Sequence, residues 1–544
     1  MPSTPTTKSQ VQAYRFVLRR MQSALVRRDA VMLNDPMRTH TRATMVGVIL
    51  GVLGLLGFVI FGLISPAPTV PAAGNIVIGE QSGTVYVVVG NPVTLIPTFN
   101  LASARLLLMA QQQGAQAQAA GQAGAAPPAA PAAAQTVANP VVVSDDQLRN
   151  IPRRKLTGIP DGPQLLPTAS QRISNNWGVC DNLQLNLDLP DPTSPHKVET
   201  TVLAGVQSMG NELGQNQALL ATADNGKTYL IYWPASSAGQ PNANAVRAEV
   251  DQSSPAVISA LGLSTVKGRQ ISMALLNAIP EVGKLTAPQI VGDATPPGFQ
   301  MNGLNIGDVF STAPTGTETL QYWVVLQGGI QSISRAVSDI IRSSSANGQT
   351  AVPPLSLDKI NVPRVVQGNP NFLPVSDYPQ TVPVVRNPVD QSKVACLGWS
   401  LVGDPASPSP HTAVYVGNTM PDKVDAQSIQ VGQASPDGTR IDKFYMQAGY
   451  GAVIQSATGK DSFGKGPIEL ISDRGLRYGV PDLKTATGLG LDSMSPAPES
   501  IISLLPTGAS LNIQAVLQTF DSVPIDPRAG TYPTASAAAP PPGN

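Results

Sequence analysis

The sequence predicts a single-pass membrane protein. A cytoplasmic amphipathic helix comes first, then one transmembrane helix, then a large α+β region beyond the membrane built of four short repeats and a β-rich central domain. Three observations carry this reading: an uncharged run from Met45 to Ile64, a crowd of basic residues before that run, and related glycine-bearing segments recurring after it. Composition agrees. Charged residues are 13% of the 544, against roughly 25% in ordinary soluble proteins, and 49 Gly with 51 Pro demand many turns. The balance of 35 basic and 35 acidic residues excludes a strongly basic nucleic-acid binder, and two cysteines exclude a disulfide-dense mini-protein.

Residues 1–44 form the cytoplasmic segment. They hold eight basic groups (Lys8, Arg15, Arg19, Arg20, Arg27, Arg28, Arg38, Arg42) and two acidic ones (Asp29, Asp35), so 8 − 2 = +6. The 480 residues beyond the span hold 35 − 8 = 27 basic and 35 − 2 = 33 acidic groups, net −6. Ser9 and Gln12 fit a capping box, and Val11, Tyr14, Leu18, Met21 and Leu25 fall on one helical face. Asn34, Asp35 and Pro36 should stop this helix. Its other surface is basic, so it can coat anionic lipid or dock on a partner. Coating needs no regular apolar seam, which favours docking through Tyr14, Arg15, Phe16, Arg19, Arg20, Arg27 and Arg28 over a merely solvated basic face.

Residues 45–64 are uncharged and, at about 1.5 Å per residue, span about 30 Å of hydrocarbon. Arg38 and Arg42 precede the run and Ser65 to Pro68 follow it, which puts the N-terminus inside. The competing reading, a cleaved signal peptide, conflicts with the length of both the basic and the apolar regions. Gly47, Gly51, Gly54 and Gly57 form a candidate helix-packing seam, with a Gly-x-x-x-Gly pair at 47 and 51; glycine is also common in spans without such a role.

Beyond the membrane, residues 65–110 read as a first repeat, with strand-like runs at 76–78 and 85–89 and an apolar stretch from Leu101 to Met109. Residues 111–140 read as a flexible insertion, because 111–135 contain only Gln, Ala, Gly and Pro. Residues 141–352 should hold the second and third repeats, 353–465 the central β-rich domain, 466–520 the fourth repeat and 521–544 a Pro/Ala tail. The internal match pairs Asp224-x-Gly226-x-x-Tyr229 with Asp473-x-Gly475-x-x-Tyr478, and Leu261-Gly-Leu263 with Leu489-Gly-Leu491. Helix-like segments at Ala274 to Pro280 and Ile501 to Pro506 follow, then Gly283 and Leu285, and Gly508 and Leu511. Weaker relatives lie around Gly83 to Tyr86 and Gly316 to Tyr322. The shared grammar is a hairpin with glycine in its turn, then a loop and a short helix.

Cys180 and Cys396 both lie beyond the membrane, where a lone pair most economically forms one disulfide joining two halves of the region; two buried free thiols are the alternative. Catalytic signals are poor. His40, His196 and His411 are isolated, and no His or Cys cluster has metal-ligand spacing. Gly459-Lys-Asp-Ser-Phe-Gly464-Lys465 imitates the start of a phosphate-binding loop, but Gly466 stands where a magnesium-binding hydroxyl belongs and no long apolar strand leads in. No catalytic residue, cofactor or metal is expected, and the protein reads as a non-enzyme.

The ordered landmarks resemble one family. Thr7-Lys-Ser-Gln-Val-Gln-Ala-Tyr-Arg-Phe16, Arg19-Arg20, Ala24 to Met32 and Asp35-Pro36 before a single span are similar to EccB, a core membrane component of actinobacterial type VII (ESX) secretion systems. Asn100 to Leu106, Gly158-Ile-Pro160, Trp177-Gly-Val-Cys180, Gln321 to Leu326, Cys396-Leu-Gly-Trp399, Arg477-Tyr-Gly-Val480 and Val523 to Pro527 continue the resemblance in order. The 111–140 insertion and the tail depart from it. The resemblance implies a plasma (inner) membrane protein with its bulk in the periplasm, a Cys180–Cys396 disulfide, and a scaffolding role. It also implies the partners EccC, EccD and EccE, further EccB copies in a hexameric complex, and the mycosin protease, besides membrane lipid. A second reading, a peptidoglycan-binding anchor, rests on analogy with other repeated α+β modules of the cell wall side.

Overall fold

The computed structural model describes residues 7–27, 36–64, 70–122, 137–238, 244–313, 320–356, 362–421, 424–432 and 439–524. Residues 1–70, with 146–148, form one compact unit; 71–145 and 149–544 form another.

The first unit is built on two helices, α1 (Lys8–Arg27) and α2 (Pro36–Ile64). Its N-terminal cap is Thr7, not Ser9. The Thr7 amide donates to Gln10 Oε1 at 2.9 Å and the Gln10 amide to Thr7 Oγ1 at 3.4 Å, closing the capping box two residues earlier than expected. Pro36 opens α2 instead of ending α1, as suits a residue without an N–H at a first helical position. The expected stop at 34–35 lies outside the described residues. The stretch apolar enough to cross a bilayer runs from His40 to Phe61, and α2 begins before it, so Arg38 and Arg42 ride on the same helix as the span.

The second unit opens with β1 (Ile76–Gly79), β2 (Val85–Val89) and β3 (Thr94–Thr98), an antiparallel meander, followed by α3 (Leu101–Gln122) and β4 (Val141–Val143), which returns parallel to β1. Then come α4 (Asp145–Leu148), whose residues 146–148 are counted with the first unit, and β5 (Leu156–Thr157), which completes this segment. Two expectations change here. Residues 111–122 of the Gln/Ala tract belong to α3, since Ala and Gln are good helix formers and no proline intervenes before Pro127; 123–136 lie outside the described residues. β4 also belongs to the first sheet, not to a second repeat.

The chain then builds β6 (Trp177–Gln184), β7 (Lys197–Ala204) and β8 (Asn211–Glu212). A second sheet follows: β9 (Gln217–Ala223), β10 (Thr228–Tyr232), β11 (Val246–Glu249), α5 (Pro255–Ala260), β12 (Arg269–Ile271) and α6 (Met273–Ala278). The third comprises β13 (Val309–Thr312), β14 (Gln321–Leu326), β15 (Gly329–Ile333) and α7 (Arg335–Ser344). After β16 (Val384–Val385) come β17 (Val394–Val402), β18 (Ser409–Gly417), α8 (Val424–Gln427), β19 (Ile429–Gln430) and β20 (Lys443–Tyr445). The last sheet has β21 (Gly451–Ala457), β22 (Ile468–Ser472), β23 (Arg477–Val480), α9 (Leu483–Leu489), β24 (Ser495–Pro498) and α10 (Glu499–Ile502). α11 (Ile513–Val516) and β25 (Thr519–Phe520) lead back to the first sheet, where β25 pairs with β5.

One strand order recurs. In the first, second and fourth sheets three antiparallel strands are followed by a fourth lying parallel to the first, β3-β2-β1-β4, β11-β10-β9-β12 and β23-β22-β21-β24. The third sheet keeps the pattern through a single parallel bridge, Ser311 to Pro354. In each, a later segment closes parallel to the third strand, at Leu95 with Arg153, Arg247 with Glu281, Ile330 with Arg364 and Arg477 with Thr507. The Leu-Gly-Leu pair falls at equivalent places, with Gly262 and Gly490 in left-handed conformation at the ends of α5 and α9. The Asp-x-Gly-x-x-Tyr pair does not: 224–229 turns from β9 to β10, whereas 473–478 turns from β22 to β23. A tight hairpin needs glycine at a positive φ wherever it occurs, so the motif marks a turn and not a position in the unit.

The β-rich centre is discontinuous. Its sheet runs β19-β20-β7-β6-β17-β18-β8, drawing on 177–212 as well as 394–445, and the fourth sheet begins at 451. The expected boundaries of 353–465 and 466–520 are therefore replaced, because pairing between strands two hundred residues apart leaves no local signature. Around this sheet the others form two arms. The second and fourth sheets pack on it directly, sharing one core in which Trp177, Leu397 and Phe444 meet Tyr229, Ile231 and Leu275 of the one and Ile454, Ile501 and Leu505 of the other. The third sheet packs on the second through Val257, Leu261, Val337 and Ile341, and the first on the fourth through Leu106, Met109, Leu489 and Val516. The second and fourth sheets are thus inner, the first and third outer.

Candidate functional site

On α1 the seam residues Val11, Tyr14, Leu18 and Met21 are exposed, as is Phe16, and Arg15, Arg19 and Arg20 lie away from that seam. At about 100° per residue the seam covers an arc of about 80°, and Arg15, Arg19 and Arg20 begin about 40° beyond it. The Arg27 side chain and Arg28 lie outside the described residues. An exposed row of large apolar side chains thus lies beside a basic face.

On α2, Gly47, Gly51 and Gly54 fall within about 60° of one another while Gly57 lies off that face. A Cβ at any of the four would meet nothing within 4 Å, so the backbone there is bare in the single chain.

The disulfide joins Cys180 to Cys396. The two residues face each other across adjacent antiparallel strands β6 and β17, with Cα atoms 4.0 Å apart, and both side chains are buried. The covalent link therefore lies within one sheet and clips the base of the arm formed by the second and third sheets, which occupy the loop it closes.

Beside it lies a polar node that no sequence motif announced. Asp181 is fully buried on β6; its Oδ1 accepts from Thr200 Oγ1 at 2.8 Å and Ser272 Oγ at 2.7 Å, and its Oδ2 accepts from the Ser272 amide at 2.7 Å. Arg269, also buried, donates to the Asp181 carbonyl at 3.2 Å and the Ser392 carbonyl at 2.7 Å. Burial pushes the Asp181 carboxyl above its ordinary range, against the pull of Arg269 and the three donors, and pushes the Arg269 guanidinium down to about 10. Ser272 caps α6, so this carboxylate sets both β12 and α6 of the second sheet against the central one. A charge directly after Cys180 was the available signal.

The loop at 459–466 connects β21 to β22 as an antiparallel hairpin. A buried strand does lead into it, since β21 is buried from Gly451 to Ile454, which corrects the expectation. No helix follows, however, and Ser462 Oγ already accepts from the Thr458 amide at 2.9 Å and the Gly459 amide at 3.1 Å. A Cβ at Gly466 would stand 1.8 Å from the Ser456 carbonyl oxygen, so a hydroxyl side chain cannot occupy that position. The loop lacks the hydroxyl at position 466 and the following helix that hold a nucleotide phosphate and its magnesium.

A polar groove of about 760 Å³ lies against β7, lined by His196, Lys197, Glu199, Asp224 and Lys443. Lys443 pairs with Glu199 at 2.8 Å, and His196 Nδ1 bonds to Gln270 Nε2 at 3.1 Å. Among the described residues no group of His, Cys, Asp and Glu is placed to hold a metal ion.

Comparison with known proteins agrees with this architecture. The model of the EccB family, described as type VII secretion system ESX-1, transport TM domain B, matches residues 3–525. ESX-3 secretion system ATPase EccB3 of Mycobacterium tuberculosis (strain ATCC 25618 / H37Rv) is 30% identical over 548 residues, covering 96% of this chain and 91% of that protein. ESX-1 secretion system ATPase EccB1 of Mycolicibacterium smegmatis (strain MKD8) is 29% identical over 528 residues, covering 96% and 97%. Among solved structures, a chain of an intact ESX-5 inner membrane complex superimposes with TM-score 0.64 at 24% identity, covering 98% of this chain and 99% of that one. The EccB3 dimer from the ESX-3 core complex gives 0.61 at 23%, covering 82% and 100%. With a match that runs from the basic helix to the strand that closes the first sheet, and near-complete coverage of its relatives, the chain belongs to the EccB family of type VII secretion systems.

Proposed function

We propose that this chain is a structural, non-catalytic core component of an inner-membrane type VII secretion complex, with its N-terminus in the cytoplasm and its bulk scaffolding the periplasmic side. The observation that carries the reading is the likeness over nearly the whole chain to EccB relatives and to a chain of an ESX inner membrane complex. The word ATPase in the relatives' names finds no counterpart in the hairpin at 459–466, where Ser462 Oγ is engaged by the Thr458 and Gly459 amides and Gly466 has no room for a side chain.

In this reading the four sheets are four copies of one unit, supported by their common strand order and closing bridges. The basic helix docks on cytoplasmic parts of EccC and EccD through Tyr14, Arg15, Phe16, Arg19, Arg20, Arg27 and Arg28. The glycine face of α2 packs on a neighbouring span, and EccE, the mycosin protease and further copies of this chain meet the assembly within a hexamer. Extraction in mild detergent followed by native gels and capture of the tagged chain tests this: co-purification with EccC and EccD homologues is the expected result. A chain that runs only as a monomer and retains neither would overturn it.

A further inference from the structure

Each of the four sheets places an arginine at the bridge between its third strand and its closing segment. In the second sheet, Arg247 faces Ile231 on the neighbouring strand, lies 5.5 Å from the ring of Tyr229 two residues before it, and donates to Glu281 Oε2 at 2.9 Å. In the fourth, Arg477 faces Ile471 and pairs with Glu469, again two residues before, at 3.4 Å. In the outer sheets the arginine comes from the closing segment instead. Arg153 bridges Leu95, which faces Val88, and sits 5.5 Å from the ring of Tyr86. Arg364 bridges Ile330, which faces Val325, and sits 4.0 Å from the ring of Trp323. Tyr86 and Trp323 are likewise two residues before the facing position.

The pairs differ in their counter-charge. Arg247 and Arg477 each hold a carboxylate of their own sheet and are largely buried, with side chains 10% and 12% exposed. Arg153 and Arg364 are exposed and form no ion pair among the described residues. The acid that acts on Arg153 electrostatically, Asp145, has its oxygens taken by the amides of Gln81 and Ser82 and the Ser82 hydroxyl. A guanidinium laid on an aromatic ring is held in place with its N–H edges free, an arrangement suited to a carboxylate.

We propose that Arg153 and Arg364 are matched receptors for carboxylates of a second copy of this chain, one on each outer sheet. The occupant follows from charge complementarity: the region beyond the span carries 33 acidic against 27 basic groups, so a second copy brings a net surplus of carboxylates to an exposed arginine. The inner sheets show what fills this position when it is satisfied. The proposal rests on the reading of the chain as a self-associating scaffold.

The test is sedimentation of the full-length chain in mild detergent over a range of concentrations, for the wild type and for the double variants Arg153→Glu with Arg364→Glu and Arg153→Lys with Arg364→Lys. The glutamate variant should associate at least about ten-fold more weakly with an unchanged melting temperature, and the lysine variant should fall between it and the wild type. A wild type that stays monomeric throughout defeats the scaffold reading itself. Wild-type association that the correctly melting glutamate variant retains overturns this inference alone. Retained self-association with loss of a different co-purified component overturns the second copy as occupant.

Discussion

Replacing Asp181 by alanine isolates the carboxylate that holds the second sheet to the centre. The change strips acceptors from the Ser272 amide, the Ser272 hydroxyl and the Thr200 hydroxyl, and leaves the buried Arg269 without its nearby counter-charge. Three orphaned donors cost about 1 kcal/mol each, and an uncompensated buried guanidinium about 3 kcal/mol. Relief of the carboxylate's own desolvation, which is what raises its pKa, returns about 2 kcal/mol, for a net loss of about 4 kcal/mol. The raised pKa also sets a sign: the stability linked to this ionisation is fully present below the unfolded-state pKa and is lost as pH rises through the higher folded-state value. Denaturant unfolding of the full chain, followed by tryptophan fluorescence, measures the loss, and hydrogen exchange should rise selectively across 269–278. Asp181→Asn, which keeps one acceptor oxygen but loses the other and the charge, should fall between alanine and wild type. An alanine variant within about 0.5 kcal/mol of wild type, the range of an inert surface change, would refute the reasoning.

Other consequences are separable from this one. The buried Cys180–Cys396 bond should resist reductant in native buffer and yield once the chain unfolds, and its removal should cost up to about 5 kcal/mol by loop entropy for a separation of 216 residues; equal reduction rates in native and denatured chain would contradict its placement. Gly466→Ser should destabilise the fourth sheet, because the new side chain meets the Ser456 carbonyl, while Lys465→Ala should leave both secretion and nucleotide turnover unchanged; a turnover lost in Lys465→Ala would restore an enzymatic role. Arg105, whose Nη1 donates to the Leu489 carbonyl at 2.6 Å, ties α3 to the end of α9, so Arg105→Met should cost about 1–3 kcal/mol in the same unfolding assay; no change would refute that link. Asp191 is held near 2 by Lys267 and Thr193, so its stabilising contribution should be present above about pH 4 and vanish as pH falls toward 2. A melting-temperature difference between wild type and Asp191→Asn that is flat over this interval would count against it.

Much of the fold was legible where the signal is local. The uncharged run became the apolar part of α2, Leu-Gly-Leu marked the ends of α5 and α9, and the apolar segments at 274–280 and 501–506 became α6 and α10 with the turns after them. Local signals also misled where two readings shared one pattern. Thr7 with Gln10 and Ser9 with Gln12 both spell a capping box, and the helix start chose the first. Gly226 and Gly475 both spell a tight turn, although they close different hairpins. Asp181, Arg269 and Ser272 were invisible because nothing in their separate sequence neighbourhoods shows that they meet.

By itself, the sequence determined a run long and apolar enough to cross a membrane, the crowd of basic residues before it, the recurrence of hairpin and helix, and the pair of cysteines available for bonding. Each of these depends on charge, hydropathy or turn chemistry within a few residues, so a linear reading captures it. Tertiary structure alone decided which strands make the centre, which sheets are inner and which outer, and which arginines find a carboxylate. Strand pairing is set by burial between segments hundreds of residues apart, and an arginine at the bridge between third strand and closing segment is neutralised or left open according to the sheet on which the fold has placed it.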